Sequence, residues 1–447
     1  MGYFIMGMQL LLSLSILITL HEMGHFLPAR WFGMRVEKFY LFFNPKFSLF
    51  KRKIGETEYG IGWLPLGGYV KITGMMDESL DMDALKKGPD ERDFRTKPAW
   101  QRLIVMLGGV TVNFALGIFL LAMVAWVYGD TILTNENMTY GVSTSPLAKE
   151  MGFQNGDKIL SIGEEKMQEF SPGLITKSLL LDKQYKVTVE RAGQPVTFMV
   201  QDSSVLKLPA YSKRKKSLLQ VRIPFVVAKV VPKTGADSAQ LQVADSIVAV
   251  NGQATPFYVD YQKAIKNLKD TLVNLSYYRD GNLLTTAVKT SPNATIGVYA
   301  HGFDYFLKTE RRKYSLAEAF PVALTRSYDL IASQIKAFSQ MFTGRLKPTE
   351  SMGGVISIGK MFPTVWDWEY FWRMTGALSL ILAFMNLLPI PALDGGHVLF
   401  ILYEIIARRP ANERFVEVAQ LAGVLLLIGL ILFANGNDIY DIFFPPQ

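Results

Sequence analysis

His21-Glu22-Met23-Gly24-His25 lies at the end of an apolar run that begins at Tyr3. On a helix, residues four apart share one face, so the His21 and His25 side chains stand one above the other. That spacing suits two imidazoles binding one zinc ion, with Glu22 between them as candidate general base. A lone histidine on an apolar face is commonly a hydrogen-bonded core residue. Two histidines and a glutamate inside a membrane-grade apolar segment are costly to place and read as a functional site.

The chain has 447 residues, and 49% of them are hydrophobic. Its mean hydropathy is +0.18. That is too apolar for an ordinary soluble chain and too polar for a pure membrane bundle, so a mixed architecture of about three domains is expected. With no cysteine, disulfides and thiolate metal sites are excluded, and a metal must use histidine and carboxylate. Only four histidines occur, His21, His25, His301 and His397. The net charge of +8 is spread along the chain and mixed with acids. No basic stripe interleaved with aromatics is present, so nucleic acid is not an expected partner. The charge reads as solvated faces and membrane flanks.

Four apolar segments are expected to span the membrane, at residues 3–32, 103–128, 371–388 and 415–433. The first lacks a basic leader and a small-residue cleavage site, so it is read as retained. The 33–102 connection is rich in Lys and Arg, from Arg35 to Arg102, and the last connection carries Arg408, Arg409 and Arg414. The positive-inside rule puts both connections in the cytoplasm, both termini outside, and the roughly 240 residues between spans two and three outside.

Within the first connection, residues 46–50, 58–63 and 69–72 read as strands, with a turn at 51–56 and a break at Pro65 and Gly67-Gly68. A hairpin beside the membrane is tolerated where its edge lines a protected cavity. The reading is an edge, around Gly60, Gly62, Gly67 and Gly68, that takes an extended peptide as an added strand. A cytoplasmic β-element with glycine turns is the plainer alternative.

The outer region repeats itself. Gln154-Asn155-Gly156-Asp157-Lys158-Ile159 aligns with Gln242-Val243-Ala244-Asp245-Ser246-Ile247, one small domain further on. Both copies resemble PDZ domains, serving either to bind peptide or to gate access, and Lys213 to Lys216 reads as a loop in or after the first. Apolar residues from Ala317 to Phe338 recur at three to four positions, which marks an amphipathic helix over residues 315–342. It is expected on the outer membrane surface or against the repeat.

The third apolar segment ends in Asn386-Leu387-Leu388-Pro389-Ile390-Pro391-Ala392-Leu393-Asp394-Gly395-Gly396-His397. Its prolines break the helix within membrane depth, which is tolerated where the break lines a cavity. Counted from the outer side, His21 lies about 27 Å and Asp394 up to about 36 Å deep. Both fall toward the cytoplasm and can meet. Two histidines, one carboxylate and an open position form the catalytic kind of zinc site. His397 is read either beside that site or as a helix-start residue, and His301 is assigned no role.

These two motifs together resemble the HExxH and NxxPxPxLDG motifs of the site-2 proteases. The tandem PDZ insertion and four-helix layout are similar to the bacterial RseP-type intramembrane zinc metalloproteases, nearly end to end, including Pro65 to Lys71, Phe94 to Arg102 and Asn113-Phe114. The chain departs from the family at Val110 and Val355, where proline is usual. The resemblance implies a polytopic α-helical membrane protein of four transmembrane helices, with a membrane-associated β-hairpin and two extracytoplasmic α+β PDZ-like domains. The segments expected are 1–130 (first two spans and hairpin), 131–222 and 223–305 (the PDZ-like domains), 306–362 (amphipathic helix and connector) and 363–447 (last two spans). It implies Zn2+ on His21, His25 and Asp394, Glu22 as base, and Asn386 with the hairpin glycines holding substrate. The implied substrates are transmembrane segments of single-span proteins already trimmed outside, anti-sigma-factor-like regulators or remnant signal peptides. The implied setting is a bacterial inner membrane, with lipids as partners; the sequence does not give an oligomeric state. The competing reading is a membrane-anchored PDZ scaffold with a vestigial metal site.

Overall fold

The computed structural model describes residues 2–65, 67–75, 90–213 and 217–444. Leu66 of the glycine break and the basic run from Arg214 to Lys216 therefore lie outside the described residues. The chain divides into two compact units. One comprises the residues up to Gly129, Lys313–Phe342 and the chain from Lys347 onward; the other comprises Asp130–Arg312 and Thr343–Leu346.

In the first unit, helices α1 (Gly2–Trp31) and α2 (Ala99–Val127) pack along each other. Gly24 and Gly108 make this possible, because a Cβ on Gly24 would lie 2.7 Å from the Gly109 Cα. Small residues let helix backbones touch where lipid supplies no hydrophobic drive. Helix α3 (Leu316–Phe342) is the amphipathic segment. It lies against α2 and α4 (Trp368–Leu387). The reason is its small-residue stripe: Ala319, Ala323 and Ser327 are buried, whereas Phe320, Leu324 and Tyr328 stay exposed. Helices α5 (Asp394–Ala407) and α6 (Glu413–Phe443) complete the unit.

Among the described residues, three helices are long and apolar enough to cross a membrane: Gly2–Trp31, Ala99–Val127 and Arg414–Phe443. The segment expected as the third span is α4, which is not one of these. It carries Glu369 and Arg373 in its first turns. It also buries Thr375 and Ser379, which bond to Ser13 Oγ at 3.0 Å and to the Asn113 carbonyl at 2.8 Å. Polar groups facing other helices lower its hydropathy.

Four strands follow α1 in the order β2-β3-β1-β4: β1 Val36–Leu41, β2 Phe50–Ile54, β3 Thr57–Ile61 and β4 Tyr69–Ile72. β1 runs parallel to β3 and antiparallel to β4. The expected strand at 46–50 and turn at 51–56 are displaced. Lys51, Arg52 and Lys53 are themselves strand residues, and the turn is confined to Gly55 and Glu56. β2 is exposed throughout, so it needs no apolar alternation. The buried side of the sheet joins both helix ends in one cluster that includes Met34, Val36, Val70, Ile72, Val105 and Met106.

The second unit holds the sequence repeat. One copy forms a four-stranded sheet and the other a six-stranded sheet. Strand Leu219–Val221 pairs with Val142–Thr144 of the first copy, and Phe225–Val230 opens the second. Each copy has the same buried lock. Arg191 forks onto Asp157 (2.8 and 2.9 Å) and Arg279 onto Asp245 (2.7 and 2.6 Å). In both, the partners are 34 residues apart. The aspartates are buried, and a bidentate guanidinium supplies what a carboxylate removed from water requires.

Candidate metal centre

Helix α1 places His21 and His25 on the face turned to α2, and both are buried. Gly109 of α2 permits that closeness, since a Cβ there would lie 2.7 Å from His21 Cε1. Asp394 arrives from the break between α4 and α5. Ala392 takes a left-handed φ of 82°, and Asp394 opens α5 two residues later. Gly395 and Gly396 let the first turn of α5 sit on its own entering loop, where a Cβ on Gly396 would meet the Ile390 carbonyl at 2.5 Å.

The three candidate ligand atoms form a nearly equilateral triangle. His21 Nε2 and His25 Nε2 are 3.3 Å apart, and Asp394 Oδ2 lies 3.3 Å and 3.4 Å from them. In a tetrahedral site with bonds of about 2.0–2.1 Å, ligand atoms stand roughly 3.3–3.4 Å apart. Asp394 Oδ2 is also buried and accepts no hydrogen bond. Converging lone pairs and an orphaned carboxylate oxygen are costly unless a cation lies among them. The residues therefore fit a metal. No other group of three or more His, Asp or Glu among the described residues has this arrangement.

The far nitrogens are held by α2. His25 Nδ1 is 2.8 Å from the Val105 carbonyl, which can only accept, so that ring carries its proton on Nδ1 and turns the Nε2 lone pair to the triangle. His21 Nδ1 is 3.1 Å from the Asn113 amide. Neither contact was legible as a role in the sequence, although the motif spacing marked the two histidines as candidate ligands.

A cavity of about 90 Å³ opens beside the triangle, lined by His21, Glu22, His25, Gly68, Tyr69, Val70, Asn386, Asp394 and His397. Glu22 is buried at its wall. Asn386, at the end of α4, reaches His21 Nε2 with its amide nitrogen at 3.2 Å. His397 contributes to the lining and meets Gln420 Nε2 at 3.3 and 3.4 Å. His301 is elsewhere, stacked on Tyr305 in the second unit.

The four glycines divide. Gly68 adjoins the cavity, where a Cβ would come within 3.3 Å of Glu22 Cγ. Gly67 packs on the Phe43 ring. Gly60 lies in β3, paired on both sides by β2 and β1, and faces the Tyr40 ring; Gly62 lies against the Phe43 carbonyl. The strand bordering the cavity is β4, which among the described residues pairs only with β1. Val110 and Val355 also have local reasons. Val110 is buried in mid-α2, where a proline would remove a helical hydrogen bond. The Val355 amide donates to Asn435 Oδ1 at 3.2 Å.

An HExxH pair on a helix apolar enough to span a bilayer, with a distant carboxylate beside it, is the arrangement of the class of membrane metallopeptidases. The pattern of Peptidase family M50 matches residues 9–430, and the chain belongs to that family. It is similar to the Metalloprotease MmpA of Caulobacter vibrioides (27% identity, 99% of this chain and 98% of the relative). It is also similar to the Regulator of sigma E protease of Haemophilus influenzae (27%, 96% and 97%) and to the Protease RseP of Yersinia pestis (28%, 96% and 97%).

Proposed function

We propose that this metallopeptidase is a zinc enzyme that hydrolyses peptide bonds within transmembrane segments of single-span membrane proteins. The observation carrying this is the His21, His25 and Asp394 triangle, with Glu22 beside it, in a cavity lined by residues of the helices and of β4. Zinc is the metal named in several relatives, such as the putative zinc metalloproteases of Xylella fastidiosa and Campylobacter jejuni.

His21, His25 and Asp394 hold the ion, which supplies Lewis acidity toward the scissile carbonyl when bound. Glu22 accepts a proton from the attacking water and delivers it to the leaving amine as the C–N bond breaks. A helical substrate hides its carbonyls in its own hydrogen bonds, so it must be extended first. β4 offers backbone groups for that extended segment, Gly68 leaves space beside Glu22, and Asn386 donates to a freed carbonyl. Gly60 and Gly62 shape the sheet behind β4 rather than contacting the peptide.

In this reading α4 joins the three long apolar helices as a fourth span, with both termini and the second unit outside the inner membrane. The two repeat copies are PDZ-like domains that restrict access to substrates already trimmed outside, whether anti-sigma-factor-like regulators or signal-peptide remnants.

The test is a purified protein in lipid vesicles with a transmembrane peptide. Cleavage is expected to fall by at least about 10²-fold in Glu22→Gln and to be abolished by zinc chelation. Wild-type rates in Glu22→Gln would sink the mechanism.

A further inference from the structure

His21 offers the triangle one ring nitrogen and leaves the other buried against α2. A neutral imidazole whose Nε2 lone pair points at a metal carries its proton on Nδ1. That N–H needs an acceptor. The group within reach is the Asn113 side chain, itself fully buried, with its nitrogen 3.1 Å from His21 Nδ1. In that orientation two donors oppose each other. Meanwhile Asn113 Oδ1 is buried with no hydrogen-bond partner.

The two ends of an amide are alike in shape, and hydrogen bonding decides which end faces a neighbour. A half-turn of the Asn113 amide removes both conflicts. Oδ1, the acceptor with nothing to accept, then meets His21 Nδ1–H. The Asn113 backbone is fixed as well, its carbonyl accepting from Ser379 Oγ at 2.8 Å.

We propose that Asn113 is the positioning residue for His21, accepting the Nδ1–H through Oδ1 and so presenting the Nε2 lone pair to the metal. Helix α2 then orients both imidazoles, His25 through the Val105 carbonyl and His21 through Asn113. The proposal rests on the triangle being a zinc site.

Zinc affinity of the purified full-length protein, measured by competition with a chromophoric chelator, separates the two claims. Asn113→Leu keeps the branching at Cγ and removes the acceptor; its zinc affinity is expected to fall 10–100-fold. Asn113→Asp can only accept from Nδ1–H and is expected to bind zinc at least as tightly as wild type. The cobalt-substituted Asn113→Asp protein is expected to keep the wild-type visible spectrum. Wild-type affinity in Asn113→Leu overturns the proposal, as does equal loss in both variants, which would mean packing alone. Should Asn113→Leu not fold, Asn113→Ala takes its place with the same expectations. A wild-type protein that fails to bind one zinc per chain overturns the metal reading itself.

Discussion

At Gly109 one hydrogen atom separates a working triangle from a crowded one. A Cβ there would stand 2.7 Å from His21 Cε1 and 2.9 Å from His21 Nδ1, with His25 Nε2 closer still. Overpacking of this kind commonly costs about 1–3 kcal/mol, and here the groups that must yield are the two candidate ligands. Gly109→Ala should therefore lose zinc affinity tenfold or more. Gly7 of α1 has nothing within 4 Å of its Cβ position. Gly7→Ala should keep affinity and add up to about 1 kcal/mol of helix stability. Chelator competition and thermal melting read both, and unaltered affinity in Gly109→Ala would contradict the close-contact argument. The candidate ligands could be read in the sequence because HExxH spacing is local and Asp394, just after two prolines, lies in a break of an apolar run. Asn113 and Val105 could not be assigned roles in the same way. Their contacts with the rings cross 92 and 80 residues, and a backbone carbonyl leaves no compositional trace.

Among the elements, β4 has the position the proposed chemistry requires. The sheet has two outer strands, β2 and β4. Only β4 contributes to the cavity beside Glu22. The native chain has no cysteine, so single-cysteine mapping is clean. A disulfide needs Cα atoms within about 4.4–6.8 Å. In a Glu22→Gln background, Tyr69→Cys should cross-link to a cysteine placed in the transmembrane segment of a bound substrate, while Arg52→Cys on β2 should not. Cross-linking from Arg52→Cys alone would move the substrate to the opposite edge. Sequence patterning found β3 and β4 but shifted β2, because a strand with both faces exposed carries charge instead of alternation. It overlooked β1, whose Val36 and Tyr40 are buried while Lys38 keeps a charge mid-strand. Likewise the periodicity of α3 marked its large apolar residues, of which Ile331 and Phe338 pack, whereas its first turns pack through the small residues Ala319, Ala323 and Ser327.

On the scale of the whole molecule, the second unit is built as an insertion whose ends meet. Strand Asp130–Ile132 at its entry pairs antiparallel with Glu310–Arg312 at its exit, Asp130 opposite Arg312. Each repeat copy carries its own Asp–Arg lock, and none of the candidate metal ligands lies in this unit. Among the described residues, the first unit in turn holds every candidate ligand and the lining of the cavity. If the repeat restricts access, removing it changes which substrates are cut without removing the chemistry. Residues 140–300 can be replaced by a short flexible linker, because the paired strands on either side already bring the two ends together. The excised protein should bind one zinc per chain and cleave a trimmed transmembrane peptide at close to the wild-type rate. It should also cleave the same segment still carrying its folded outer domain, which the intact protein should refuse. Paired vesicle assays of both proteins on both substrates measure this. If the excised form retains its zinc yet still requires prior trimming, the selection lies in the first unit, and the repeat must serve another purpose, such as binding a peptide ligand of its own.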